Sequence, residues 1–263
     1  MEGIPLHWCI SNNIGDALNY WLVKKITGKP AYWVPRESNN FKFICIGSIL
    51  NWADEHCGVW GAGLANQTDT VNSSARIYSV RGPVSAKIAE ECGVLLQGPH
   101  GDPALLVSKY YNNNRKKFGQ CKVGLIPHYA DYHALCQYDP EFKIVDNHFK
   151  GIKIINVFDP IEKIADEIKK CQVILSSSLH GLILADAYGV PNKQVKISDY
   201  VLGDGTKFYD YFLSVDRTWI LPTHLSRMVK YSHDEIVKLV KKEYEPIDIK
   251  SMQEGLLETC PFI

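Results

Sequence analysis

Several things are scarce in this sequence, and each scarcity closes off a class of protein. There is no surplus of charge: Lys and Arg together number 29, Asp and Glu number 29, and the formal net charge is zero. A neutral chain has no general electrostatic attraction for nucleic acid. No apolar run approaches the roughly 18 residues that a membrane-crossing helix needs. The first residues, MEGIPLHWCISNN, have neither a basic start nor a long apolar stretch, so they do not read as a signal peptide, and the expected location is the cytoplasm. Disulfide and zinc spacing is missing too. The eight cysteines stand at 9, 45, 57, 92, 121, 136, 171 and 260, none in a CxxC pair, and they read as reduced core residues. Neither His7, His100, His128 nor His133 has ligand spacing, and no metal is assigned. Arginine is scarce: Arg36, Arg76, Arg81, Arg115, Arg217 and Arg227 are the only forks available for bidentate anion binding. No internal repeat or low-complexity segment is found.

What is present is ordinary globular material: 263 residues, 46% hydrophobic and 22% charged. That is enough for one large domain or two small ones. The most informative stretch is Gln172 to Pro191, QVILSSSLHGLILADAYGVP. Val173-Ile174-Leu175 suits a buried strand. Leu182, Ile183, Ala185 and Ala187 recur at helical spacing, and Gly189 and Pro191 end the helix. Between them, SSSLHG places hydroxyls, backbone N–H groups and one imidazole at a helix start. There the unpaired donors and the dipole favour an anion. The plainer alternatives are an N-cap for Ser177 or Ser178 and a packed core ring for His180.

The same strand, turn, helix pattern recurs along the chain. Leu6–Ile10 is a predicted strand, followed by Gly15, Asp16 and a helical pattern closing at Gly28. Asp16 is either a functional carboxylate or an N-cap. Predicted strands follow at Phe43–Gly47, Gly58–Leu64 and Arg76–Val80. The last delivers Arg81 to the turn before a helix that starts at Pro83, where open α/β sheets bind ligands. A surface salt bridge is the alternative for Arg81. NNNRKK at 112–117 reads as a linker. After it come predicted strands at Lys122–Ile126, Phe142–Val145, Ile152–Val157, Gln194–Ile197 and Trp219–Leu221. Helices are expected over Pro160–Cys171 and Ser232–Tyr244, with a helix or tail at 247–259. Strands alternating with helices on both sides of a polar linker predict α/β, with two Rossmann-like domains, 1–115 and 116–263, facing a cleft.

These motifs together resemble the polysaccharide pyruvyl transferase family. The resemblance rests on NNIGD at 12–16, VWGAGL at 59–64, IYSVRGPVS at 77–85, GDPALL at 101–106, KVGLIPHY at 122–129, SSSLHGLILADAYGVP at 176–191 and GDGTKFYDYFLSV at 203–215. It implies a GT-B-like fold and transfer of pyruvate from phosphoenolpyruvate onto two hydroxyls of a sugar, forming a ketal in glycan or exopolysaccharide biosynthesis. The N-terminal half would then face the acceptor and the C-terminal half the donor. It implies donor contacts for Arg81, Leu179, His180 and Lys207, with Ser177 and Ser178 in the donor turn, and an acceptor-side role for Asp16. One departure stands out: several members carry arginine where this chain has Ser178, so Lys207, the serine hydroxyls and the backbone amides would have to take over its charge. The chemistry then assigns His180 as acid or phosphate-stabilising group and Asp16 as base. No cofactor beyond the phosphoenolpyruvate donor is required. The acceptor would be a glycan or lipid-linked sugar, the latter placing the protein at a membrane surface. The competing readings are a GT-B glycosyltransferase using a nucleotide sugar and an inactive sugar-binding module.

Overall fold

The structure, a computed structural model, describes residues 3–10, 13–96, 98–113, 119–139 and 148–263. The expected strand at 142–145 and most of the expected linker lie outside them. The architecture is α/β with two sheets. The first is wholly parallel, in the order β2 (Ala31–Trp33), β1 (Ile4–Leu6), β3 (Lys42–Ile44), β4 (Cys57–Trp60), β5 (Arg76–Ser79). The second runs β11 (Thr223–His224), β10 (Asn192–Lys196), β9 (Cys171–Ser176), β6 (Cys121–Ile126), β8 (Ile152–Ile154), β7 (His148–Phe149). It is parallel except where β7 meets β8. Central strands such as β6 and β9 read as near-continuous apolar runs because helices cover both faces.

Several strands differ from expectation, among them the one expected at Gly58–Leu64, which ends at Trp60. The first strand ends at Leu6 and not at Ile10: the His7 ring bonds the Val34 carbonyl, and the chain beyond it leaves the ladder, with Trp8 accepting from the Trp33 indole. The strand expected at 219–221 falls instead at Thr223–His224, and Ile220 and Leu221 are exposed. Ala31–Trp33 was not expected as a strand. It is a short edge element whose Tyr32 and Trp33 face outward, so it lacks an apolar alternation.

Helices α1 (Ile14–Thr27), α2 (Pro83–Glu91) and α3 (Val107–Tyr110) belong to the first half, and α4 (Tyr132–Tyr138), α5 (Ile161–Lys170), α6 (Leu179–Ala187), α7 (Thr206–Ser214), α8 (Leu225–Met228) and α9 (His233–Glu243) to the second. α5 turns Ile161, Ile164, Ala165 and Ile168 inward, and α9 begins with a full capping box between Ser232 and Glu235. The last helix, α10 (Ile249–Glu258), returns to the first half. There the Trp60 indole donates to the Leu256 carbonyl at 3.1 Å, and Gln253 donates to Leu105 and Ser108.

α6 differs from the rest: all nine of its residues are buried. A helix apolar all round belongs inside, and α6 packs on its own strands and on the Pro103–Leu106 turn of the first half. One continuous apolar cluster therefore extends from Leu6, Leu18 and Leu22 through Leu105 to Ile174, Leu182 and Val195. The one charge on α6, Asp186, is buried and held by Arg217, Tyr211, Asn192 and Tyr244. A buried carboxylate needs that many partners to offset its lost hydration.

Candidate active site

A cavity of about 550 Å³ is lined by residues that follow strands of both sheets. Its lining follows strand ends in turn: Asn13 and Asp16 at the start of α1, Ser48 after β3, Asn66 and Asp69 after β4, His128 and Tyr129 after β6, Ser178, Leu179 and His180 after β9, and Lys207 in α7. Loops after parallel strands share one edge of a sheet, which is why these distant segments meet. Asp16, Ser178, Leu179, His180 and Lys207, predicted separately from sequence, thus stand around one space.

The N-termini of α1 and α6 meet here. Gly15, in the first turn of α1, lies against the imidazole of His180. A Cβ at Gly15 would sit 2.3 Å from His180 Nδ1, so only glycine allows the ring this position. On the other side of the ring, His180 Nε2 faces Asp102 Oδ2 at 3.7 Å, beyond a proper hydrogen bond. Both atoms are buried, and neither has a hydrogen-bond partner among the described residues. Asp102 Oδ1 is engaged, accepting from the Ala104 amide at 3.0 Å. His180 is therefore held between Gly15 and a carboxylate with one oxygen in reserve.

The three serines do different work. Ser176 donates to the Ile126 and Ser178 carbonyls and accepts from the Ser178 amide, which pins the turn. Ser177 donates to Asp131 and accepts from the His128 amide. It lines a neighbouring cavity of about 430 Å³ and not the one containing His180. Ser178 occupies the N-cap of α6, but its side chain makes no capping bond. The first amides of α6 have no side-chain acceptor there.

Lys207 separates the two cavities and lines both. Its ammonium donates to the Leu202 carbonyl at 2.7 Å. Burial, reinforced by the charge of Arg81 and opposed by Asp131, pushes its pKa down to about 8. His128 is pushed down to about 3 by burial, Lys207 and His180, so it is neutral at ordinary pH. Asp131, raised by burial, is held by Ser177, Ser198 and the charge of Lys207.

Arg81 is where the donor-clamp expectation meets a correction. It is fully buried and lines neither cavity. Nε and an NH2 proton grip Asp210 Oδ2 at 3.1 and 3.0 Å, NH2 also donates to the Leu64 carbonyl at 2.6 Å, and NH1 donates to Ser48 Oγ at 2.9 Å. Asp210 accepts in addition from the Val84 and Ser85 amides and the Ser85 hydroxyl. The fork is occupied by the protein itself and joins β5 to α7. Gly63 permits this, since a Cβ there would come within 2.3 Å of the guanidinium carbon. Arg81 reaches the cavity only through Ser48 and through its effect on Lys207.

Sequence reasoning missed Asp102, His128 and Asp131. His128 follows a predicted strand just as His180 does, so the rule that found one applied equally to the other. Asp102 faces His180 only because Pro103–Leu106 packs against α6, which no local pattern reveals.

The protein is thus an α/β fold that gathers ionisable groups from the loops after both sheets around one cavity. The chain belongs to the polysaccharide pyruvyl transferase family, whose profile matches residues 58–192. It is 28% identical over 215 residues to the succinoglycan biosynthesis protein ExoV of Rhizobium meliloti, covering 74% of this chain and 60% of that protein. An uncharacterised protein of Acanthamoeba polyphaga mimivirus is 26% identical over 217 residues, covering 79% of this chain and 73% of the relative. A functionally uncharacterised Klebsiella pneumoniae protein of known structure superposes with a TM-score of 0.43 at 11% identity, over 83% of this chain and 93% of the other.

Proposed function

We propose that this protein transfers pyruvate from phosphoenolpyruvate onto two hydroxyls of one sugar residue, releasing phosphate and leaving a cyclic ketal on a growing glycan. The observation that carries the reading is the convergence of Asp16, Ser178, His180 and Lys207 from three separate segments on one cavity, in a chain of this family. The name of ExoV, a succinoglycan biosynthesis protein, points to the same setting. We read the arrangement as GT-B-like, with residues 1–115 on the acceptor side, 116–263 on the donor side, and the cytoplasm as its place of work. Among the described residues no helix is long and apolar enough to cross a membrane.

The two walls of the cavity differ in a way that suits two substrates. The donor wall carries Lys207, His180, the neutral His128 and the open amides of α6. A trianionic phosphate ester belongs there. The opposite wall carries Asn13, Asp16, Asn66 and Asp69. It would repel the donor but can accept hydrogen bonds from sugar hydroxyls. His180 protonates the methylene carbon of the enol phosphate while Asp16 takes the proton of the first attacking hydroxyl, giving a tetrahedral carbon that bears phosphate. The second hydroxyl then attacks that carbon. The carbon–phosphate oxygen bond breaks, and the proton released leaves with phosphate, whose charge Lys207 and the α6 amides stabilise. Asp102, behind the ring, stabilises the charged imidazole before it donates.

The test is incubation of the protein with phosphoenolpyruvate and glycan acceptors, following phosphate release and a pyruvate adduct on the glycan. Release of phosphate that depends on both substrates is the expected result. Thermal stabilisation by a nucleotide sugar and not by phosphoenolpyruvate would favour a glycosyltransferase instead.

A further inference from the structure

Next to the catalytic cavity lies a second groove of about 380 Å³, lined by Arg36, Glu37, Asn51, Trp52, Thr70 and Asn72 among others. Asn51 and Trp52 line both spaces, so the groove continues the acceptor wall outward from Asp16. The side chains of Arg36, Glu37, Asn51 and Thr70 make no hydrogen bond or ion pair with another described residue, and all four residues are partly or fully open to solvent. Trp52 is half-buried against the core of the first sheet, with the buried His7 ring 5.8 Å away and tilted at 55° to it and the Arg36 guanidinium 5.4 Å from its ring. The acidic groups beside it, Glu37 and Asp54, disfavour a polyanion. An aromatic ring with a guanidinium beside it, among amide, hydroxyl and carboxylate groups open to solvent, matches a polyhydroxylated ring, which has apolar C–H faces and hydroxyl edges. The catalytic cavity is also larger than phosphoenolpyruvate alone would fill.

We propose that this groove binds the sugar residue adjacent to the one that is pyruvylated, with Trp52 as its aromatic contact. This rests on the pyruvyltransferase reading and deepens it by giving the acceptor's neighbouring residue a place on this chain. The test compares the methyl glycosides of glucose, galactose and mannose with cellobiose, lactose and mannobiose. Binding is measured by saturation-transfer NMR without donor, and turnover by phosphate release from phosphoenolpyruvate. At least one disaccharide should bind about tenfold more tightly than its methyl glycoside, the size of one good contact. Trp52→Ala should remove that gap and Trp52→Phe restore most of it. Arg36→Ala, at an exposed position, should narrow the gap even if Trp52→Ala fails to fold. Equal binding of the mono- and disaccharides, an unchanged gap in both Trp52→Ala and Arg36→Ala, or binding of no sugar in the panel would each overturn the proposal. A disaccharide gap without phosphate release would keep the groove as a glycan site and remove the pyruvyl chemistry.

Discussion

Two buried contacts between a nitrogen side chain and a carboxylate join the halves of this molecule, and they are built in opposite ways. In Arg81–Asp210 nearly every donor and acceptor is matched: the guanidinium holds Asp210, Ser48 and Leu64, and Asp210 takes two backbone amides and a hydroxyl besides. In His180–Asp102 the approach is 3.7 Å, with Nε2 and Oδ2 both left without a hydrogen bond among the described residues. A satisfied network makes a rigid tie, whereas an unsatisfied pair keeps free energy available for a change of protonation. The difference teaches that the buried arginine holds the walls together, while the half-paired histidine is the group left open for the chemistry proposed between them.

The largest effect should come from breaking the satisfied pair. Asp210→Ala leaves a buried guanidinium without its counter-charge and should cost about 3–5 kcal/mol of stability, read by urea unfolding. A loss under about 1 kcal/mol would show that Arg81 is not a structural tie and would reopen its role with the donor.

Breaking the unsatisfied pair should do the reverse. His180→Ala should unfold at nearly the wild-type midpoint but turn over about two or more orders of magnitude more slowly. His180→Gln should fold as well, retain donor binding through its amide, and still fail to protonate carbon. Normal phosphate release by both variants would transfer the acid role to Lys207; loss of folding in both would make His180 a packed core residue.

Gly15→Ala sharpens the comparison without touching either charge. Its new Cβ collides with the imidazole and must displace it. Turnover should fall by about ten- to a hundredfold, the usual result of misplacing a catalytic group by an ångström. Stability should change little, since alanine suits a helix better than glycine. Unchanged kinetics would mean that the ring's position against α1 is immaterial.

The mildest effect concerns pH. In the proposed donor site Lys207 would hold the anion only while charged, and its pKa is lowered to about 8. Donor kcat/KM should therefore hold below that pH and fall about tenfold per unit above it. In Lys207→Arg the fall should disappear from the accessible range, because a guanidinium keeps its proton. A wild-type profile flat to pH 10 would exclude Lys207 from donor binding.

Much of this was legible in the residues themselves. The Gln172–Pro191 stretch declares its strand, turn and helix by apolar spacing and by Gly189 and Pro191, and the structure places β9 and α6 there. Gly28 closes α1 and Pro83 opens α2 as local backbone rules require. Asp16, His180 and Lys207 were recognisable as candidates because each lies in a turn, helix start or loop beyond a strand, in a motif the family shares. Such properties are local: they depend on dihedral preference and side-chain period within a few residues.

What only the tertiary structure decided are the partnerships. Arg81 is an arginine at a strand end in any reading of the sequence. That its fork closes on Asp210, in a helix more than a hundred residues on, follows from how α2 packs against α7. Asp102 reads as the cap of a short turn, and it becomes a partner of His180 only because that turn packs on the buried helix α6. The role of a charged group is set by which other groups share its desolvated space. Folding brings those groups together from across the chain, and no local window of the sequence contains them.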